Sequence, residues 1–220
     1  MYFLLAAFVF AALTALGIWK DNRGLQFIAK PAVMVTLFIY LWMSTGLQGA
    51  TLWFGLGMLL SLTGDVLLLW IERFFIYGLA AFLLAHVSYL VGFNLPVSPV
   101  SLWGLLLAVI VGLGGARVMR RILSSIVEKG QALMKIPVAV YGAVISLMLL
   151  SAMLKLTDPA WGADASALVA LGAFLFFLSD IVLAWNKFVS PIQNGRMLNI
   201  GMYHIGQILL AAGVVMQFGS

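Results

Sequence analysis

The chain has no cysteine and very little charge. Only 9% of its 220 residues are Asp, Glu, Lys or Arg, whereas 64% are hydrophobic. The absence of cysteine excludes disulfides, thiol catalysis and cysteine-based metal sites. A soluble globular domain has about a quarter of its residues charged, so this composition excludes an ordinary soluble enzyme and a disordered tail. The sequence therefore predicts an integral membrane protein.

Long apolar runs recur along the chain, and a helix that crosses the bilayer needs about 20 such residues. Gly and Pro are scattered through these runs, a pattern that favours helices over a transmembrane barrel. We predict an all-α polytopic membrane protein with one transmembrane domain over residues 1–220 and eight transmembrane helices. These helices cover residues 2–19, 31–46, 50–70, 75–95, 100–116, 137–154, 164–185 and 197–218.

The positive charges predict an orientation. With eight helices, 11 of the 12 Lys and Arg residues fall on one side of the membrane and only Lys155 on the other. Because short loops rich in Lys and Arg stay in the cytoplasm, we expect a multi-pass cell-membrane protein with both termini outside the cytoplasm. The net charge of +5 has the same origin, so we expect no nucleic-acid partner. We expect the loop 117–135 to contain an amphipathic helical turn on the inner leaflet.

The rare polar residues of the second half of the chain repeat those of the first half in the same order. The matching pieces are the Lys-Pro segments 30–31 and 135–137, the Asp-containing segments 64–70 and 179–185, and the histidines His86 and His204. Four helices separate each piece from its counterpart. We interpret this as a parallel 4+4 internal repeat with halves of about 1–116 and 117–220, related by an axis along the membrane normal.

Asp65 and Asp180 are the candidate catalytic residues. Each precedes a Trp by five residues, which places both roughly 7 to 8 Å inside the boundary that an interfacial Trp marks. An isolated Asp there costs about 2.5 to 3.5 kcal/mol and is a functional candidate by default. If the repeat brings the two together, they share one proton and provide an acid and a base. The alternative is a pair of structural hydrogen bonds between helices.

Other polar residues on these helices are candidates for lining a cavity and binding substrate. They are Lys30, His86, Tyr89, Ser179, Tyr203, His204 and Gln207. Lys30, at the predicted start of a helix, is placed to meet a lipid phosphate, to pair with a carboxylate or to extend to the interface. With two His, no Cys and two buried carboxylates, we predict no metal site and no cofactor.

These motifs, in this order on eight helices, resemble those of the lysoplasmalogenase family, also called YhhN-like proteins. The matching pieces are Ala29-Lys30-Pro31, Gly64-Asp65, and residues 82–89, 177–180 and 203–207. The resemblance implies hydrolysis of the vinyl ether bond of lysoplasmalogens, which releases a fatty aldehyde and glycerophosphoethanolamine or glycerophosphocholine. It implies a lysophospholipid substrate and membrane lipids as partners.

Paired aspartates suit this chemistry. A vinyl ether hydrolyses when its β-carbon is protonated, because water then captures the oxocarbenium ion; the enzyme needs an acid and a carboxylate but no covalent nucleophile. We therefore predict Asp65 and Asp180 as the acid/base pair near the cytoplasmic leaflet, with Lys30 at the phosphate. The alternatives are a small-molecule or proton-coupled transporter that uses the same aspartates, and a structural or lipid-sensing membrane protein.

Overall fold

A computed structural model describes residues 2–97 and 101–219 of the chain. This part of the chain is helical and contains no strand. Short 3-10 turns follow α3 and α6 and precede α6, and a π-helical turn, Trp185–Val189, extends α7. The α-helices are α1 (Tyr2–Trp19), α2 (Arg23–Thr45), α3 (Ala50–Leu67), α4 (Ile71–Phe93), α5 (Leu102–Glu128), α6 (Lys135–Leu154), α7 (Ala163–Ala184) and α8 (Gly195–Phe218).

The all-helical class is confirmed, but the bounds of most helices differ from the prediction, and those of α2 and α5 differ most. α2 begins at Arg23, because the Asn22 side chain accepts a hydrogen bond of 3.0 Å from Leu25 N and caps the helix there. Lys30 and Pro31 therefore lie two turns inside α2, and the prediction that they open it is wrong. The predicted start of the fifth helix at Val100 lies outside the described residues, as do the chain ends.

The predicted end of the fifth helix at residue 116 is wrong, and most of the expected loop 117–135 is helical. Residues 117–128 continue α5 without a break, and Ile122 and Ile126 pack against Phe188 in a small apolar core of their own. Ser125 Oγ donates a hydrogen bond of 2.8 Å to the carbonyl of Phe188. Ile122 and Ile126 are thus covered by the π-helical turn of the same chain, whereas Val127 on the same segment is exposed. A contact of this segment with the inner leaflet stays a prediction.

Seven helical segments of the described chain are long and apolar enough to cross a membrane. The longest, Ala50–Phe93, has 44 residues and includes both α3 and α4. Its two ends meet, because the rings of Phe54 and Phe93 lie 4.8 Å apart. The chain turns at Trp70 and Phe74, whose backbone angles are not helical. α3 and α4 therefore form an antiparallel hairpin.

The helices pack in a closed ring with two additions on the outside. Around the ring, each of α2, α3, α4, α6, α7 and α8 contacts the next, and α8 closes the ring against α2. α1 packs on α2 and α8, and α5 packs on α6 and on the π-helical turn. The main apolar core fills the ring, and buried polar side chains lie within it.

The closest helix contact is between α7 and α8, and two glycines make it possible. A Cβ atom on Gly172 would lie 2.7 Å from the carbonyl oxygen of Gly206, and a Cβ on Gly206 would lie 2.8 Å from that of Gly172. Small residues allow such backbone approach in membrane helices. This contact fixes the positions of Asp180 on α7 and Tyr203 on α8.

Candidate active site

Asp65 lies at the C-terminal end of α3 and is held by two side chains from other helices. Lys30 Nζ on α2 is 3.0 Å from Asp65 Oδ1, and Tyr203 on α8 donates a hydrogen bond of 2.7 Å to Asp65 Oδ2. All three side chains are buried. A carboxylate inside an apolar bundle requires such partners, and here they supply one positive charge and one hydroxyl donor.

Asp180 lies at the corresponding place on α7 and has a different set of partners. Tyr141 on α6 donates a hydrogen bond to Asp180 Oδ2, and His86 Nε2 on α4 lies 3.1 Å from the same oxygen. His86 Nε2 is also 2.9 Å from the Tyr141 oxygen, so the three groups form a closed triangle. Ser179 Oγ donates a weaker hydrogen bond of 3.3 Å to Asp180 Oδ1.

Aromatic rings lie between the two aspartate groups. The Phe176 ring is 4.6 Å from the His86 ring and 5.2 Å from the Tyr203 ring, measured between centroids. Each aspartate therefore has its own hydrogen-bond partners, and Phe176 connects the two groups. The role of Asp65 and Asp180 as one acid/base pair stays a prediction.

A third polar group extends the site along α8. Tyr89 donates a hydrogen bond of 3.0 Å to Gln207 Oε1, and Gln207 Nε2 donates one of 3.2 Å to Ser61 Oγ. His204, beside Tyr203, is buried, and its Nε2 atom has no hydrogen-bond partner among the described residues. The structure thus places every predicted site residue in or next to one of three neighbouring groups.

The partners of the two aspartates come from matching helices of the two chain halves. Asp65 on α3 is bound by Lys30 from α2 and by Tyr203 from α8. Asp180 on α7 is bound by Tyr141 from α6 and by His86 from α4. A boundary at residue 116 would fall inside α5, so the halves are taken here as α1–α4 and α5–α8. Each aspartate then has one partner from the second helix of its own half and one from the fourth helix of the other half.

Two cavities of opposite character flank the C-terminal end of α7. The first lies between α4, α5, α6 and α7 and is lined almost entirely by apolar side chains, with Asp180 and Tyr141 on its wall. The second is larger and lies where α2 and α8 begin, and Lys30 lines it. Leu183 lines both cavities.

The sequence matches a known protein family. The model of the YhhN family matches residues 25–214, which include both aspartate groups. The chain belongs to the YhhN family. This YhhN protein is 33% identical to lysoplasmalogenase TMEM86B of Mus musculus over 211 residues, which is 94% of this chain and 84% of the relative.

Other curated relatives are also named lysoplasmalogenases. The YhhN chain is 29% identical to lysoplasmalogenase TMEM86B of Homo sapiens over 210 residues, covering 94% of this chain and 84% of the relative. It is 31% identical to lysoplasmalogenase TMEM86A of Homo sapiens over 163 residues, covering 72% of this chain and 63% of the relative. No solved structure matches the chain.

The YhhN protein offers few metal ligands. Among residues 2–97 and 101–219, no group of three or more His, Asp or Glu side chains lies close enough to hold a metal ion. His86 and Asp180 are adjacent, but the third member of their triangle is the hydroxyl of Tyr141. A metal-independent reaction stays a prediction.

Two partners of the site were not predicted from the sequence. Tyr141 completes the Asp180 group, and Ser61 ends the chain of hydrogen bonds from Tyr89. Tyr141 is the one tyrosine of α6, whose residues are mostly apolar, and this is a signal that sequence reasoning can use. Ser61 has no such signal, because serine is common in membrane helices and satisfies itself on the backbone.

Proposed function

We propose that this protein is a lysoplasmalogenase that hydrolyses the vinyl ether bond of 1-alkenyl-glycerophosphoethanolamine or 1-alkenyl-glycerophosphocholine. The products are a fatty aldehyde and the glycerophospho-alcohol. Membership in the YhhN family and the curated relatives named lysoplasmalogenases support this assignment. The observation that carries it is a half-buried carboxylate, Asp180, on the wall of an apolar cavity lined by four helices.

The apolar cavity suits the hydrocarbon chain of such a lipid. Its lining comes from α4 to α7 and from the π-helical turn, and Ile145, Val138 and Phe177 are typical of it. A hydrocarbon chain there is in contact with apolar side chains, as it would be among lipid tails. The ether end of the chain then lies near the one carboxylate of this cavity.

We assign proton donation to the Asp180 group and charge stabilisation to Asp65. The proton held among Asp180, His86 and Tyr141 is transferred to the β-carbon of the vinyl ether, and the electron pair of the double bond forms the new C–H bond. The resulting oxocarbenium ion is stabilised by carboxylate charge. Water adds to its α-carbon and loses a proton to a carboxylate, and the hemiacetal then separates into aldehyde and alcohol. General acid catalysis of this kind typically raises the reaction rate by about 10²–10⁴-fold.

We propose eight crossings of the membrane, with both termini outside the cytoplasm and the site near the cytoplasmic leaflet. The antiparallel hairpin of α3 and α4 supports two crossings within Ala50–Phe93. With that count, the short connections rich in Lys and Arg all fall on the side where α3 and α7 end. The positive-inside rule places this side in the cytoplasm.

We also propose that the two halves of the chain are a 4+4 parallel repeat. The second helix of each half packs against the fourth helix of the other half, α2 against α8 and α6 against α4. The partners of Asp65 and Asp180 follow the same exchange. One duplicated unit of four helices accounts for both facts.

A lipid-product assay on the purified protein tests the function. We expect aldehyde release from a lysoplasmalogen and none of comparable rate from the acyl-ester lysophospholipid with the same head group. Asp65→Asn and Asp180→Asn should abolish release, and Asp164→Asn, an exposed aspartate at the start of α7, should not. Full activity in either of the first two variants would contradict the assignment. Lipid transport into proteoliposomes without aldehyde release would favour a transporter.

A further inference from the structure

The second cavity is cationic and has no assigned role in the reaction. It lies where α2 and α8 begin and α3 and α7 end, and it is the larger of the two cavities. The polar residues that line it are Arg23, Lys30, Arg196, Gln26, Asn186 and Asn199. Three of these are cations, and no residue that lines the cavity is Asp or Glu.

The charges of this cavity are not all compensated. Lys30 is paired with Asp65, and this neutralises one positive charge. Arg23 and Arg196 stand at the mouth of the cavity with exposed side chains. Two guanidinium groups in a recess between apolar helices create a strong positive potential, which attracts an anion. Arginine binds phosphate through paired N–H donors, so a phosphate is the anion that fits best.

Arg196 is held in a defined position. Its guanidinium donates a hydrogen bond to Gln26 Oε1, and Gln26 Nε2 donates one of 2.8 Å to the carbonyl oxygen of Gly17 at the end of α1. Gln26 is itself buried. A chain of hydrogen bonds thus fixes one face of the guanidinium and aims it into the cavity, and fixed geometry lowers the entropy lost on binding.

The cavity is also lined by residues that contact both aspartate groups, although neither aspartate lines it. Lys30 lines it and contacts Asp65 directly. Asn199 lines it and donates a hydrogen bond of 2.8 Å to the carbonyl oxygen of Ser179, the residue before Asp180. Leu183 separates it from the apolar cavity. An anion bound here therefore lies near Lys30 and Asn199, each of which contacts an aspartate group.

We propose that this cavity binds the phosphodiester of the lipid head group, with Arg23 and Arg196 as its ligands, while the hydrocarbon chain occupies the apolar cavity. The assignment rests on the proposed lysophospholipid substrate. It also changes the role of Lys30: its ammonium group neutralises Asp65, and the two arginines bind the phosphate. The same chemistry would accept free inorganic phosphate, and the experiment below distinguishes the two sources.

Binding of a lipid that resists hydrolysis tests the head-group site separately from catalysis. The probe is 1-O-hexadecyl-glycerophosphocholine, whose saturated ether has no double bond to protonate; the reference is 1-O-hexadecyl-glycerol, which has the same chain and no phosphate. Both are titrated into purified full-length protein in dodecyl maltoside micelles. Arg196→Gln and Arg23→Gln should each weaken binding of the phospholipid by about tenfold or more, and binding of the phosphate-free ether should stay unchanged.

One control variant and two further measurements make the result specific. Arg120→Gln removes an exposed arginine of α5 that lines neither cavity and should bind both lipids like the parent protein. In the activity assay, Arg196→Gln should raise KM for lysoplasmalogen by a similar factor and leave kcat within about threefold. Arg196→Lys keeps the charge without the paired donors, and we expect an intermediate KM.

The outcomes separate the two proposals. Equal weakening for the phosphate-free ether, or no weakening by either arginine variant, overturns the head-group site. Inorganic phosphate that binds as tightly as the phospholipid also overturns it, because the site would then be one for free phosphate. A parent protein that binds the phospholipid in an arginine-dependent way but releases no aldehyde overturns the hydrolase function and leaves the head-group site intact.

Discussion

Lys30 and Asp65 form an ion pair inside the helix bundle, with Nζ and Oδ1 3.0 Å apart and side chains that are 9% and 1% exposed. Burial removes most of the solvent from both charges. Each therefore depends on the other, and Tyr203 supplies a further donor to the carboxylate. The pair joins α2 to α3 at the place where the reaction is proposed.

Removing one member of this pair should lower the free energy of unfolding. Replacing both members should lower it by less than the sum of the two single losses. Lys30→Met leaves a buried carboxylate without its countercharge, which costs roughly 3–5 kcal/mol. The double variant Lys30→Met/Asp65→Asn should recover most of that loss, because no buried charge remains, yet release no aldehyde. Thermal unfolding in detergent, followed by tryptophan fluorescence, measures the stability. Strictly additive losses would contradict the pairing. Lys135→Met, which removes the exposed counterpart at the start of α6, is the control.

Tyr141 should affect the reaction more than the fold. Tyr141→Phe keeps the ring and removes the hydroxyl that donates to Asp180, so the proton in the Asp180 group loses one of its positions. We expect kcat to fall by about 10²-fold and the free energy of unfolding to fall by about 1 kcal/mol, the usual value of one hydrogen bond. Tyr77→Phe, on an exposed ring of α4, should leave kcat unchanged. A parent-like kcat for Tyr141→Phe would remove the hydroxyl from the mechanism.

Both aspartates could be singled out from the sequence as candidate functional residues, because an acidic residue in an apolar run is rare and its insertion into a membrane is energetically unfavourable. It also identified most of their neighbours as candidates. It did not predict which candidate meets which aspartate. That depends on α8 crossing to α3 and α4 crossing to α7, and such packing is set by contacts distant along the chain, for example the glycines at 172 and 206.

Lys30 shows why the local sequence pattern predicted the wrong start for α2. Charges and a proline between residues 20 and 31 are typical of a loop, so Lys30 was expected at the end of one. Asn22 instead caps α2 eight residues earlier, and Pro31 lies inside the helix, where its missing N–H costs one backbone hydrogen bond without ending the helix. The lysine is therefore carried into the bundle, where the tertiary partner Asp65 offsets the cost of burying its charge.

The apolar cavity should set the chain length that the enzyme accepts. Ser146 on α6 lines it, so Ser146→Leu adds three carbons to the space that the hydrocarbon chain would fill. We expect KM to rise for long-chain lysoplasmalogens and to change little for short ones. Ala143→Leu places the same bulk on the exposed face of the same helix and should leave both unchanged. A loss equal for all chain lengths would indicate damage to the fold and not a shorter cavity.

Chelation should leave the reaction unchanged. The groups around Asp65 and Asp180 are a lysine, a histidine and two tyrosines, and a lysine ammonium is a donor that repels a cation. Purified protein dialysed against EDTA should therefore release aldehyde at the rate of the untreated protein. Loss of activity that Zn²⁺ or Mg²⁺ restores would show that a metal takes part, and a metal analysis of the purified protein would identify it.

The contact between α7 and α8 should be the least tolerant of added volume. A side chain on Gly172 would meet the carbonyl oxygen of Gly206 at 2.7 Å and the amide nitrogen of Leu210 at 2.8 Å. Backbone atoms cannot rotate away as a flexible side chain does, so the two helices must separate. Gly172→Val should lower the free energy of unfolding by roughly 1–3 kcal/mol or more.

The same separation moves Tyr203 away from Asp65, so kcat should fall together with stability. The matched control is Gly112→Val on α5, where an added Cβ meets no heavy atom within 4 Å, and it should leave both quantities unchanged. If Gly172→Val unfolds like the parent protein, α7 and α8 do not pack as closely as described. If its stability falls while kcat stays constant, the hydrogen bond between Tyr203 and Asp65 is not needed for catalysis.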